Sequence, residues 1–403
     1  MNKYIITKMP LCPLMNVEKD TMSMVTALMD EQHALSLSCI PREEDYLNNI
    51  YIGRVDSISE NIKAIFVKIS PDEICYLPYE ELPYVTFTHK PSNKEIAVGD
   101  ELLVQVVRRP IKTKLATVSA RLNISGQYVA VTSGPSRIGI SKKIPKQKGK
   151  ELKEFLKEHT ACFHEMDIIA RTNSAYADSD DILSEATRLS SVLSNILQYS
   201  KTKTLYSCVY TTEPDYISFV KNSYPGEISE IVTDIDGVYE SLLPYMKDYP
   251  NILLRYYEDS YPLYQLFSLT REFSDALSKK VWLKSGAYLI IEPTEALTVI
   301  DVNSGKNEKK KSEDYFLNIN KEAALEIARQ LRLRNISGIC IVDFIDMPID
   351  QQQKELLSFM RKLLKSDHIT TTAIDMTKLN LMEITRKKTN PTLYQQIFQD
   401  IVD

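Results

Sequence analysis

The chain has 403 residues, 43% of them hydrophobic and 26% charged, with a formal net charge of −5, enough apolar content for roughly two to four domains with cores of their own. The acidic balance excludes a uniformly basic nucleic-acid binder and leaves any contact with a polyanion to local clusters. No stretch approaches the ~20 apolar residues of a spanning helix and nothing near the start reads as a signal peptide, so a cytoplasmic protein without membrane contact is expected.

Residues 1–45 read as short strands, YIIT and MVTALMDEQHALSLSCI, around a polar turn at Asp30-Glu31-Gln32. From Asn49 the segments IYIGRVDSI, AIFVKI, ICYLP, ELLVQVVRRP and LATVSARL follow closely, and five short strands predict a small closed barrel of the OB kind. Among its strand aromatics, Phe66 and Tyr76 are either a stacking platform for unpaired bases or part of the barrel core. Beyond the barrel, the pattern predicts a helix over 149–159, a strand at MDIIART and a helix from Asp180 to Tyr199. The strand TLYSCVYT, a helix from near Pro214, the strand EISEIVTDI and a helix from Gly237 to Met246 then alternate, which favours an α/β layer. A strand ILLRYYE and a helix from Pro262 to Leu277 lead into SGAYLIIEPTEALTVIDVNSG, a hairpin bracketing Glu292-Pro293-Thr294-Glu295.

The six cysteines show no CxxC spacing, which argues against both a zinc ribbon and a disulfide framework and predicts reduced, mostly buried thiols. Two basic clusters stand out. One holds Arg137, Lys142, Lys143, Lys146, Lys148 and Lys150, and the other Arg361, Lys362, Lys365, Lys378, Arg386, Lys387 and Lys388. Each reads either as a nucleic-acid contact or as a solvated face.

Chemistry concentrates in LTVIDVNSGK and GICIVDFIDM, where apolar strands end in acidic residues. Alternate side chains of a strand share a face, so Asp301 and Asn303 point the same way while Ile300 and Val302 point into the core. The segment NKEAALEIARQLRLR, 320–334, predicts a helix ending just before Gly338, long enough to cross between parallel strands. If Gly338 to Phe344 is the next strand, Asp343 lies beside Asp301. Two carboxylates and an amide oxygen then suit Mg²⁺, with Asp346 available in the outer coordination sphere. Such a site serves phosphodiester hydrolysis. The competing reading makes Asp301 and Asp343 ordinary strand-end residues.

The strings TEALTVIDVNSGK, EAALEIARQLRLRNISGICIVDFIDM and NLMEITRKK resemble the catalytic core of the ribonuclease E/G family, and NNIYIGRVDSISENIKAIFVKI resembles its S1-type RNA-binding domain. The resemblance runs from about residue 2 to residue 390. It implies an α+β, multi-subdomain chain: an RNase H-like subdomain in two parts (1–45 and 214–283), an S1-type OB barrel inserted between them (46–122), a 5′-sensor region (123–213) and a DNase I-like catalytic subdomain (284–403). It further implies a Mg²⁺-dependent endoribonuclease, with Mn²⁺ as a substitute, that cuts single-stranded RNA to 5′-phosphate and 3′-hydroxyl ends during RNA processing or mRNA decay. Asp301 and Asp343 match the metal-binding carboxylates and Asn303 the residue that orients one of them or the scissile phosphate. Phe66 and Tyr76 match positions that hold RNA, with Lys114 a basic residue in the same channel. Gly126, Arg171 and Thr172 match the pocket that senses a 5′-monophosphate.

Two departures from the family pattern qualify these expectations. There is no CPxC motif, so no zinc is expected and any homo-oligomer would form without a zinc link. After the DxN strand, Lys309-Lys310-Lys311 with Glu308, Glu313 and Asp314 replaces a glycine-containing loop, and His368 takes the place of a further sensor arginine. The alternative function is a non-catalytic RNA-binding or regulatory protein of the same descent.

Overall fold

Alternating apolar residues close the predicted barrel. In the computed structural model, strands Ile50–Ser59, Ala64–Lys68, Ile74–Pro78, Ala116–Ser119 and Glu101–Arg108 pair in that order, and the last returns to the first with Ile52 opposite Leu103. Ile65, Val67, Cys75, Leu77, Leu102 and Val104 fill the interior. Gly53 lies where a Cβ would meet the Val67 side chain at 2.5 Å, so the first strand passes its neighbour only without a side chain there.

The structure describes residues 2–15, 22–40, 46–90, 95–110, 114–163, 166–305, 314–347, 349–388 and 390–398. They form two units, Glu44–Pro225 and a second assembled from Met1–Glu43 with Gly226–Asp403. In the first, a four-stranded sheet accompanies the barrel, in the order Ile138–Ile140, Met166–Ala170, Val129–Ser133, Asn123–Ser125. The helix Ser179–Tyr199 covers it with Ile182, Ala186, Leu189 and Leu193 buried on one stripe. The predicted strand TLYSCVYT shortens to Cys208–Tyr210 and pairs with Ile50–Ser59 at the barrel. It therefore does not join the α/β layer expected from the alternation.

In the second unit, a five-stranded sheet runs Leu253–Tyr256, Glu230–Thr233, Lys3–Pro10, Met22–Met29, Ala34–Ile40. The turn at Asp30 forms as read, because Asp30 Oδ1 accepts the N–H groups of Gln32 and His33, both at 2.7 Å. The single helix predicted from Pro262 to Leu277 is broken into Leu263–Leu266 and Leu269–Leu277, with Ser268 left-handed at φ 53° between them. The break lets Leu263, Leu269 and Phe273 all enter the core under this sheet.

The remaining sheet has six strands in the order Lys280–Trp282, Tyr288–Pro293, Leu297–Asn303, Gly338–Asp343, Leu381–Arg386, Thr371–Met376. One face packs Leu289, Ile291, Ile300, Val302 and Val342 against the helices Tyr315–Leu333 and Asp350–Leu364. The first of these helices begins at Tyr315, earlier than its apolar spacing indicated, and its cap is not Gly338. Asn335 takes the left-handed position at φ 48°, and Ile336 N–H reaches back to Leu331 O at 3.0 Å. Gly338, at φ 90°, instead turns the chain into the next strand.

Among the described residues no helix is long and apolar enough to cross a membrane. The cysteines form no disulfide; Cys39, Cys75 and Cys340 are buried, whereas Cys162 and Cys208 are exposed, a more even division than their type suggested.

Candidate active site

The strands Leu297–Asn303 and Gly338–Asp343 are parallel neighbours, and their register sets Asp301 directly beside Asp343. Residues paired this way share a face across strands about 4.8 Å apart, so both carboxylates stand on the side away from the helices. Asn303 joins them: its Nδ2 donates to Asp301 Oδ2 at 2.5 Å. Partial desolvation, then the negative charges of Asp301 and Asp346, push the Asp343 carboxyl above the usual carboxylate range.

The donor set fits a hard divalent cation. Two carboxylates and an amide suit Mg²⁺, which keeps several waters and needs only one or two charged protein ligands. No group of three or more His, Cys, Asp or Glu side chains is disposed to hold a metal among the described residues. Asp346 is exposed beyond the strand end and acts on Asp343 through its charge. The segment carrying it is clamped by Asn320, a residue that periodicity assigned only to a helix face. Fully buried, Asn320 donates through Nδ2 to Ile345 O at 2.8 Å and accepts Ile345 N–H at 3.1 Å.

Phe66 and Tyr76 are cross-strand partners on the barrel, half-exposed, and alternate with the buried Ile65, Val67, Cys75 and Leu77. They face outward, which removes the core reading. Thr117 sits beside Tyr76 on the adjoining parallel strand, and Lys114, exposed, lies just ahead of that strand.

The structure also brings Arg171, Thr172 and Gly126 together. The Arg171 guanidinium donates to Gly126 O and to Asn222 Oδ1, and Thr172 Oγ1 lies 3.3 Å from Ser141 Oγ. Gly126 itself is tightly enclosed: a Cβ there would meet the Glu185 carboxyl at 2.4 Å. Glu185 in turn accepts the N–H groups of Gln127, Tyr128 and Val129 at 2.7–2.9 Å. Asn222, Ser141 and Glu185 escaped sequence reasoning because they come from separate elements.

The second basic cluster is not a uniform surface. Arg386 is 5% exposed, and its Nε donates to the buried Asp367 at 2.8 Å. Burial alone would raise the Asp367 carboxyl, but the hydrogen bond and charge of Arg386, with Thr371 and the Ile369 N–H, outweigh it and hold the group below its ordinary value. Arg361 donates to the carbonyls of Ala373 and Ile374. His368 Nε2 lies 3.0 Å from Glu227 Oε1. Lys309-Lys310-Lys311, Glu308 and Glu313 lie outside the described residues.

Comparison with known proteins bears on this arrangement directly. Residues 123–389 match the model of the ribonuclease E/G family. Ribonuclease G of Salmonella typhimurium is 31% identical over 362 residues, covering 86% of this chain and 74% of the relative, and Ribonuclease G of Escherichia coli matches to the same extent. Ribonuclease E of a Nostoc species is 29% identical over 362 residues, covering 87% of this chain and 52% of its own length. The family match spans the paired carboxylates and the Arg171 constellation alike, and the chain belongs to the ribonuclease E/G family and is an endoribonuclease.

Proposed function

We propose that the protein cuts single-stranded RNA in a Mg²⁺-dependent reaction that leaves 5′-phosphate and 3′-hydroxyl ends, in RNA processing or mRNA decay. The observation that carries this reading is the register that sets Asp301 beside Asp343, with Asn303 bonded to the first. Asp301 and Asp343 would hold Mg²⁺, or Mn²⁺ in its place. When bound, such an ion polarises a phosphoryl oxygen and lowers the pKa of a coordinated water. Asn303 keeps Asp301 from rotating away, and the buried face beneath the two strands fixes the spacing of the carboxylates.

The rest of the chain holds the substrate. Phe66 and Tyr76 offer ring faces to unpaired bases, and Lys114 offers a cation to the backbone. Arg171 and Thr172, with the Gly126 backbone, would receive a 5′-monophosphate, since a guanidinium and a hydroxyl both donate to phosphate oxygens. In this reading the barrel is S1-type, 46–122; the sensor region is 123–213; 1–45 and 214–283 are RNase H-like; and 284–403 is a DNase I-like catalytic subdomain. Any homo-oligomer would assemble without a zinc link.

The test is cleavage of a short fluorescent single-stranded RNA, 5′-monophosphorylated or 5′-hydroxylated, in Mg²⁺ or EDTA, beside Asp301→Asn. Cutting should require Mg²⁺ and fall by three or more orders of magnitude in the variant, as loss of several kcal/mol of transition-state stabilisation demands. Binding measured by anisotropy should persist. Equal cutting by the wild type and the variant would sink the assignment.

A further inference from the structure

The face carrying Asp301 and Asn303 continues across two more strands. Asn303 is opposite Tyr288, and Tyr288 is opposite Trp282, so the three side chains form one row. The row beside it runs Asp343, Asp301, Ile290, Lys280. The Trp282 and Tyr288 rings meet edge to face, with centroids 5.2 Å apart. Lys280 Nζ sits 3.9 Å from the Trp282 ring centre and 3.8 Å from that of Tyr288. Along the row of Lys280 two strand spacings, about 10 Å, separate Lys280 from Asp301 and three, about 14 Å, separate it from Asp343.

A packing role accounts poorly for Trp282. The opposite face of its strand already supplies the core contacts through Val281, which packs against the buried cluster, while Trp282 remains 64% exposed. An exposed tryptophan against a partly buried tyrosine beside a phosphodiester site, with a cation over both rings, has the chemistry of a nucleotide subsite: a ring face for an unpaired base and a positive charge for the adjoining phosphate. Resting on the reading of the Asp301 face as the place of cleavage, we infer that Trp282, Tyr288 and Lys280 form a base-stacking subsite that holds a nucleotide next to the cleaved phosphate. Stacking makes the subsite tolerant of base identity, because every base has a π face.

Trp282 is the chain's single tryptophan, so its emission reports on this spot alone. The experiment titrates full-length protein in EDTA with a short single-stranded RNA, follows binding by anisotropy of a label on the RNA, and reads the tryptophan emission in parallel. Cleavage in Mg²⁺ is then compared for the wild type, Trp282→Phe and Trp282→Ala. Saturable quenching that tracks binding is expected, with none from an oligonucleotide lacking bases. Trp282→Ala should lower kcat/KM about tenfold, in line with the loss of one stacked base, and Trp282→Phe should retain most of the rate. If the wild type binds and cuts RNA while its emission does not move and Trp282→Ala cuts as fast, the subsite is overturned and the nuclease reading stands. If the wild type neither binds nor cuts, both fall. The emission titration uses unaltered protein, so the inference is exposed to failure even where the alanine variant does not fold.

Discussion

A carboxylate that must hold a cation in one place gains as much from its orientation as from its charge. In the proposed reading Asn303 supplies that orientation to Asp301 through a single hydrogen bond of 2.5 Å. Groups that orient metal ligands typically contribute 10–100-fold to affinity or activity, so Asn303→Ala should lower cleavage by roughly that factor. Raising Mg²⁺ should recover part of the loss, which a Mg²⁺ titration of the rate would read; a variant as active as the wild type at every concentration would remove Asn303 from the site. The placement of Asp301, Asn303 and Asp343 side by side was legible in the sequence because strand alternation has a period of two and a helix-length crossover implies a parallel neighbour. Trp282 and Tyr288 were not, because their approach depends on a register that no local pattern states. Arg386 was misread for a related reason: a cation in a basic run looks solvated until the fold supplies Asp367.

At the scale of elements, the Arg386–Asp367 pair ties the strand Leu381–Arg386 to the turn that follows the helix Asp350–Leu364. Arg386 also donates through Nη1 to Asn335 Oδ1 at 2.7 Å and to Ile336 O at 3.2 Å, so one guanidinium fastens the segment leading into the Asp343 strand. Removing one partner of a buried pair strands the other, at a cost of about 3–5 kcal/mol. Asp367→Asn should therefore lower the melting temperature clearly. The pH dependence follows from the depressed carboxyl: its contribution is fully present above the ordinary Asp value of about 3.9 and is lost as pH falls from there through the lower folded value. Melting temperatures from pH 7 to pH 3 should fall more steeply in acid for the wild type than for Asp367→Asn, and parallel curves would contradict this. Elements were mostly legible where one face is apolar, as in the helix Ser179–Tyr199. The break at Ser268 was not, since a left-handed serine leaves no mark in an apolar repeat that continues on both sides.

For the whole molecule, a net charge of −5 opposes a polyanion at long range, and in the proposed reading binding comes from a few placed cations, Arg171, Lys114 and Lys280 among them. Affinity for single-stranded RNA should fall with salt at a log–log slope of about −0.7 per neutralised phosphate, or roughly −2 to −4 for a few contacts. A slope near zero, measured by anisotropy between low and physiological salt, would remove those contacts from the account. The barrel was legible from five short alternating strands, whereas the joining of residues 1–45 to residues beyond 214 came only from the family resemblance, because it rests on Lys3–Pro10 pairing in parallel with Glu230–Thr233, which no local pattern states. That interleaving also orders events at the ribosome, where the chain emerges N-terminus first. The unit Glu44–Pro225 has all its strands before the other is half made. Strand Lys3–Pro10 can pair early with Met22–Met29 but waits for its other neighbour, Glu230–Thr233, more than two hundred residues downstream, and Asp343 is flanked on its far side by Leu381–Arg386. The paired carboxylates therefore come together only once the chain has been made past Asp343, well after the barrel has all its strands, so a shorter nascent chain carries the barrel without the carboxylate pair.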